Sequence, residues 1–204
     1  MIDVCILDYG SGNVSSVFNL VEYLGYEVKI SNQKEDLINS SHIILPGVGS
    51  FGSSMKKINS KIPIDLLKEQ LLVKKKPFLG ICVGMQVLSD KGFEFGENFG
   101  LSIIRGEVKK LKVNNLPLPH IGWNEIKIIK NCELFSNMED VNDFYFVHSY
   151  QFIVSDKVNI ISKTNYENDF VSAIQMENIF GVQFHPEKSQ KAGQLLVKNF
   201  LNIS

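Results

Sequence analysis

Along the first part of the chain, short apolar runs alternate with segments whose apolar residues recur at helical spacing. DVCILD reads as a buried strand; Val14, Val17, Phe18, Val21 and Leu24 then share one helix face, and Gly25 is placed to end that helix. YEVKIS predicts a second strand and HIILPG a third, and Pro63 suits the first turn of a helix presenting Ile64, Leu67 and Leu71. PFLGI is a fourth strand that runs into Cys82. Strands alternating with helices imply βαβ units, hence an α/β fold with a doubly wound, mostly parallel sheet and helices on both faces.

After about Gly96 the pattern changes. GEVKKLKV, WNEIKII, DFYFVHSYQF, VNIISKT, FVSAIQM and IFGVQF follow one another with short connections, which predicts an added set of antiparallel strands. A closing helix carries Ala192, Leu195, Leu196, Phe200 and Ile203 on one face. No repeat, low-complexity tract or long linker interrupts the pattern, so residues 1–204 are expected to form one domain.

Charge and composition narrow the function classes. The formal net charge is −1, which gives no broad electrostatic attraction for nucleic acid or an anionic membrane. The run Lys74-Lys75-Lys76 is local and is expected to be a solvated helix end. The opening MIDVCILDYG has no basic stretch, and Asp3 and Asp8 interrupt its apolar residues, so neither a secretory leader nor a membrane span is expected. The three cysteines, Cys5, Cys82 and Cys132, are scattered without metal-like spacing, which fits a reducing cytoplasm and predicts no metal site.

One of them stands apart. Gly80-Ile81-Cys82-Val83-Gly84 matches the pattern of a nucleophile on a sharp strand-to-helix turn, where side chains at the flanking positions would clash. A helix start behind the sulfur favours its thiolate form. The same five residues also fit a small buried junction. A thiolate needs a proton carrier, and His42, His120, His148 and His185 are the candidates. His185, in GVQFHPEKSQ, has Glu187 two residues on; in an extended segment both side chains project to one side, so the carboxylate is placed to orient the imidazole. Donors for a developing oxyanion are offered by the N–H of Val83 and by the glycine-rich LPGVGSFG, which also reads as a plain turn. Gly10-Ser11-Gly12 begins a dinucleotide fingerprint but lacks its third glycine and its acidic partner, so no nucleotide cofactor is expected.

LPGVGSFG, GICVGMQ, PHIGWN, YFVHSY and GVQFHPEKSQ occur in the order and spacing of class I, triad-type glutamine amidotransferases, and DYGSGN extends the likeness to the chain's start. Within that class the set looks like the glutaminase subunits of imidazole glycerol phosphate synthase, which work in histidine biosynthesis. The resemblance implies that Cys82 attacks the side-chain amide of L-glutamine, that His185 carries the proton to departing ammonia, and that Glu187 holds His185. It implies a glutamyl thioester that water hydrolyses. Gln86, Ser149 and Tyr150 resemble the residues that hold the substrate. Val48 and Gly49 resemble the oxyanion strand, expected to be misaligned until a partner binds.

That partner would be a (β/α)8-barrel cyclase forming a heterodimer, with Asn13, Trp123, Asn124 and Lys188 facing it, and with Trp123 anchoring a polar GWN turn. Val83, Arg105, Gln151 and the segment 91–99 depart from the usual pattern and leave the ammonia acceptor open. The resemblance also implies an alternative, a paralogous subunit supplying ammonia to a cyclase-like partner that amidates a surface-polysaccharide sugar. A stand-alone thiol hydrolase on a related sheet is the reading from another class.

Overall fold

The computed structural model describes residues 2–138 and 141–204. In chain order, β1 (Val4–Leu7), α1 (Val14–Tyr23), β2 (Val28–Ser31), α2 (Lys34–Asn39) and β3 (His42–Gly47) open the fold. They are followed by α3 (Phe51–Lys61), α4 (Ile64–Lys68) with a π-helical turn at Glu69–Val73, β4 (Phe78–Cys82) and the single turn α5 (Val83–Gln86). Then come the short β5 (Lys91–Gly92) and β6 (Asn98–Phe99), β7 (Gly106–Lys110), β8 (His120–Glu125) and β9 (Lys127–Ile128). Last are β10 (Asp143–His148), β11 (Tyr150–Val154), β12 (Ile160–Tyr166), β13 (Asn168–Met176), β14 (Ile179–Val182) and α6 (Gln190–Leu201).

The main sheet has 8 strands in the order β2-β1-β3-β4-β14-β13-β12-β9. The five from β2 to β14 run parallel, and β13, β12 and β9 add antiparallel pairing at one side. The apolar runs are explained by burial: every residue of β1, β3, β4 and β14 is buried. A strand covered on both faces has no polar side to show, so it reads as continuous rather than alternating. Each fully buried Leu, Ile or Val there contributes roughly 1.5–3 kcal/mol relative to exposure. Gly25 ends α1 as expected, with φ +89° and its N–H on the carbonyl of Glu22 at 2.9 Å.

Four details differ from the sequence reading. DFYFVHSYQF is two strands, because β10 pairs with β8 while β11 pairs with β7, and the chain changes partner at Ser149. The GWN segment is not a turn; Trp123 and Asn124 lie within β8, paired to Tyr145 and Phe144. The basic run is more than a solvated helix end, since Lys76 donates to the carbonyls of Leu37 and Ile38 at the end of α2. Helical structure after Cys82 is one turn long.

The sheet places the chemistry. The order β2-β1-β3-β4 reverses direction between β1 and β3, and the loops that leave the carboxyl ends of β1, β3, β4 and β14 carry DYGSGN, Gly47 to Gly49, Cys82 and His185. That edge is where open α/β sheets receive ligands.

Candidate active site

Cys82 ends β4 opposite Gly47 and sits at φ +55°, ψ −110°, a left-handed conformation that costs a non-glycine residue about 1–3 kcal/mol. Its neighbours enforce the bend. A Cβ on Gly84 would stand 1.8 Å from the carbonyl oxygen of Leu45, and one on Gly80 would stand 2.5 Å from that of Gly84. Only glycine lets strand and turn approach this closely. The thiol is nearly buried, and Gln183 donates to its sulfur from 3.6 Å.

His185 follows β14. Its N–H donates to Tyr145 and its carbonyl accepts from the Ser189 hydroxyl at 2.6 Å, so its backbone is fixed from both sides. Nδ1 lies 2.8 Å from Oε1 of Glu187, and both side chains are about 1% exposed. The route to this contact is not the expected one. Pro186 starts a 3-10 turn over Pro186–Lys188, so the acid reaches the ring across a turn rather than along an extended segment. Asn13 Nδ2 donates to the same carboxylate oxygen at 3.2 Å. Nε2 of His185 is buried with no geometric hydrogen-bond partner among the described residues, and the Cys82 sulfur lies near enough to act on the ring. Burial alone would lower the pKa of this imidazole; the nearby Cys82 sulfur and then Glu187 outweigh it and raise the pKa above the ordinary value.

Cys82, Val83, His185, Val48, Gly49, Gln86, Ser149 and Tyr150 line one cavity of about 230 Å³. That is below the roughly 300–1,000 Å³ of drug-sized ligand pockets and suits one small polar molecule. Val83 opens α5, so its N–H has no intrahelical acceptor. The Val48 carbonyl accepts from the Ser11 hydroxyl at 3.3 Å, and Lys57 donates to that hydroxyl from 3.2 Å. An ammonium only donates, so the Ser11 proton goes to Val48, and peptide planarity turns the Gly49 N–H away from Ser11.

The residues expected to face a partner divide. Trp123 meets Tyr145 edge-on at 6.2 Å, and Lys188 stands over the same Tyr145 ring at 5.6 Å, so these two share one surface with the exposed Ile121. Asn124 lies on the opposite face of β8, beside His120, as strand alternation requires. Asn13 turns its amide to Glu187.

Two residues of the site escaped the sequence reading. Gln183 is fully buried between Gln86 and Cys82, just past the end of β14, and its position two before His185 was the available signal. Glu94 lines the cavity mouth and accepts the N–H of Phe51 at 2.9 Å. It arrives from the β5–β6 hairpin, and nothing local announces it. A larger groove of about 780 Å³ along β8 and β9 is lined by Asn124, Ile126, Thr164 and Asp169 among others, with no nucleophile beside a base. No group of three or more His, Cys, Asp or Glu residues able to hold a metal ion occurs among the described residues.

A strained thiol beside a His–Glu pair, with backbone donors around a small polar cavity, is equipped for acyl transfer through a covalent intermediate. The chain is 43% identical over 199 residues to the imidazole glycerol phosphate synthase subunit HisH 2 of Methanococcus maripaludis, covering 97% of this chain and 98% of that one. It is 42% identical over 207 residues to subunit HisH of Pelagibacter ubique, covering 98% and 100%. Among solved structures, PurLQS from Thermotoga maritima superposes with a TM-score of 0.75 at 18% identity, covering 98% of both chains, which speaks for the fold. The family model for glutamine amidotransferase class-I matches residues 5–203, and the chain belongs to that family.

Proposed function

We propose that this chain is the glutaminase subunit of an imidazole glycerol phosphate synthase, hydrolysing L-glutamine to L-glutamate and ammonia in histidine biosynthesis. A (β/α)8-barrel cyclase subunit is its heterodimer partner and consumes the ammonia. The observation that carries the reading is similarity over nearly the whole chain to subunits of that synthase. The setting of such a pathway is the cytoplasm, and no helix among the described residues is long and apolar enough to cross a membrane.

The residues take these roles. The Cys82 thiolate attacks the side-chain amide carbon of glutamine, and the carbonyl oxygen gains charge that the N–H groups of Val83 and of the Val48–Gly49 strand receive. His185, protonated and braced by Glu187, gives its Nε2 proton to the amide nitrogen as the C–N bond breaks, and ammonia leaves. The glutamyl group remains as a thioester on Cys82. Water then adds to the thioester carbonyl and gives one proton to His185; the C–S bond breaks, glutamate departs and releases the other proton to solvent, and the thiolate–imidazolium pair is restored.

Glu94 offers a carboxylate for the substrate's ammonium group. Ser149 and Tyr150 hold its amino-acid end, and Gln86 fixes the wall beside them. The exposed Trp123 and Lys188 surface is the docking face, while Asn13 bonds to Glu187 and Asn124 to His120.

The test uses the chain with and without its barrel partner. Glutamine hydrolysis should rise sharply when the barrel and its own substrate are added. Cys82→Ala should abolish hydrolysis in both settings, by about 10⁴-fold or more, while the complex still uses free ammonia. Label from a glutamine-like diazoketone found on Cys5 or Cys132 alone would overturn the assignment.

A further inference from the structure

His120 and His148 have no part in that chemistry, yet both are buried and both are hydrogen-bonded at each ring nitrogen. The antiparallel pairing of β8 with β10 sets them directly opposite one another, joining the PHIGWN and YFVHSY segments. His148 Nδ1 lies 2.9 Å from the carbonyl of Tyr150, His120 Nδ1 lies 3.1 Å from His148 Nε2, and Asn124 Nδ2 lies 3.3 Å from His120 Nε2.

The direction of every proton in this chain follows. A carbonyl only accepts, so the His148 Nδ1 carries the hydrogen. Burial lowers the pKa of both imidazoles, to about 4 for His120 and about 3 for His148, so each ring is neutral and has one N–H. His148 Nε2 therefore accepts, His120 Nδ1 donates, His120 Nε2 accepts, and Asn124 donates. Stacking on Phe146 at 5.0 Å and on Tyr166 at 4.0 Å holds the plane of the His120 ring, and a flip within that plane would put C–H groups where Nδ1 and Nε2 make their hydrogen bonds.

The far end reaches the thiol. The Tyr150 carbonyl also accepts from Gln86 Nε2 at 3.0 Å; Gln86 Nε2 donates to Gln183 Oε1 at 3.0 Å, and Gln183 Nε2 donates to the Cys82 sulfur at 3.6 Å. A half-buried asparagine on β8 is thus joined to the nucleophile by hydrogen bonds through two histidines, one carbonyl and two glutamines.

We propose that Asn124, His120 and His148 are positioning residues, a one-way hydrogen-bond relay that holds the Tyr150 carbonyl and, through it, Gln86 at the substrate wall. The proposal rests on the glutaminase reading above. It assigns Asn124 a role inside the protein, on the face of β8 opposite Trp123. The competing role is plain filling of the core by two aromatic rings, and a substitution that keeps the ring separates the two. His120→Phe retains the stack but removes the donor to His148. His120→Asn loses the stack but keeps an amide N–H near the place of Nδ1.

The experiment measures saturable inactivation of the full chain by a glutamine-like diazoketone, with alkylation by iodoacetamide, which needs no substrate wall, as the reference. His120→Phe should raise the diazoketone half-saturation concentration about 3- to 10-fold, with the maximal inactivation rate and the iodoacetamide rate within about twofold of the parent. His120→Asn should recover most of that loss. Asn124→Leu, which spares both histidines, should give a smaller shift of the same kind and serves where His120→Phe does not fold. Equal diazoketone affinity in His120→Phe and Asn124→Leu, or equal slowing with both reagents, overturns the relay. A parent protein that the diazoketone does not label at Cys82 overturns the glutaminase reading itself, and the relay with it.

Discussion

His185 and His148 line the same cavity and are almost equally hidden, at 1% and 6% exposure, yet their imidazoles are pushed in opposite directions. Burial penalises the charged form of both. At His185 the Cys82 sulfur and the Glu187 carboxylate reverse that penalty. At His148 the only counterweight is the Tyr150 carbonyl, while His120 and His185 add to the penalty, and the pKa falls to about 3. Depth therefore does not decide what a buried histidine does. Its partners do: one ring is held charged beside a sulfur and a carboxylate, the other stays neutral between a carbonyl and a second imidazole.

The sharpest way to break this comparison is to remove the carboxylate. Glu187→Gln keeps the shape and the bond from Asn13 but takes away the charge that supports the imidazolium. Turnover should fall about 10³- to 10⁴-fold, as expected when the group orienting a catalytic histidine is neutralised. NMR titration of the His185 ring should show its midpoint falling, because one of the influences holding it up is gone. A loss under tenfold with an unmoved midpoint would show that His185 does not depend on Glu187.

A smaller effect should follow one step further out. Asn13 accepts the Ser16 hydroxyl on its side-chain oxygen at 2.8 Å, which fixes its amide nitrogen on Glu187. Asn13→Ala should lower kcat about 3- to 10-fold with little change in KM, since it loosens the acid and leaves the substrate wall intact. Asn13→Asp should be worse, because a second carboxylate beside Glu187 repels it. A rise in KM at constant kcat would remove Asn13 from this role.

How much of this could be read from the chain depended on how local each contact is. The inner parallel strands were legible because burial on both faces leaves an uninterrupted apolar run, as in VCIL or FLGI. The elbow was legible because its glycines answer to a clash within a few residues. DFYFVHSYQF looked like one strand because the break at Ser149 comes from a change of pairing partner, which no property of Ser149 announces. The His185–Glu187 contact was expected from alternation and is made instead by a 3-10 turn at Pro186. Glu94 and the pairing of His120 with His148 depend on strand register across long sequence separations. Only the folded chain brings those groups together.

The neutral histidines should also show in stability. His42, His120 and His148 all have folded pKa values below the unfolded value of about 6.5. As pH falls below about 6.5, the unfolded chain takes up protons that the folded chain refuses until about pH 4 for His120 and about pH 3 for His148. The unfolded state then binds more protons, so stability present above about pH 6.5 is lost toward acid. His185 has the opposite sign: its raised pKa gives a contribution that is complete below about pH 6.5 and is lost from there upward as pH rises through the folded value. Asp36, Glu107 and Glu167, lowered chiefly by Lys29, Lys109 and the N–H of Asn115, lose their share only below about pH 4.5, where carboxylates protonate. Between about pH 6.5 and 4.5 the loss therefore reports the neutral imidazoles, with a ceiling of about 1.4 kcal/mol per pH unit for each. Urea unfolding at pH 6.5 and pH 5.0 should show the lower midpoint at pH 5.0, and His120→Phe should flatten that difference by one histidine's share. A midpoint unchanged between the two pH values would mean that His120 and His148 accept protons in the folded chain, and the contrast with His185 would fail.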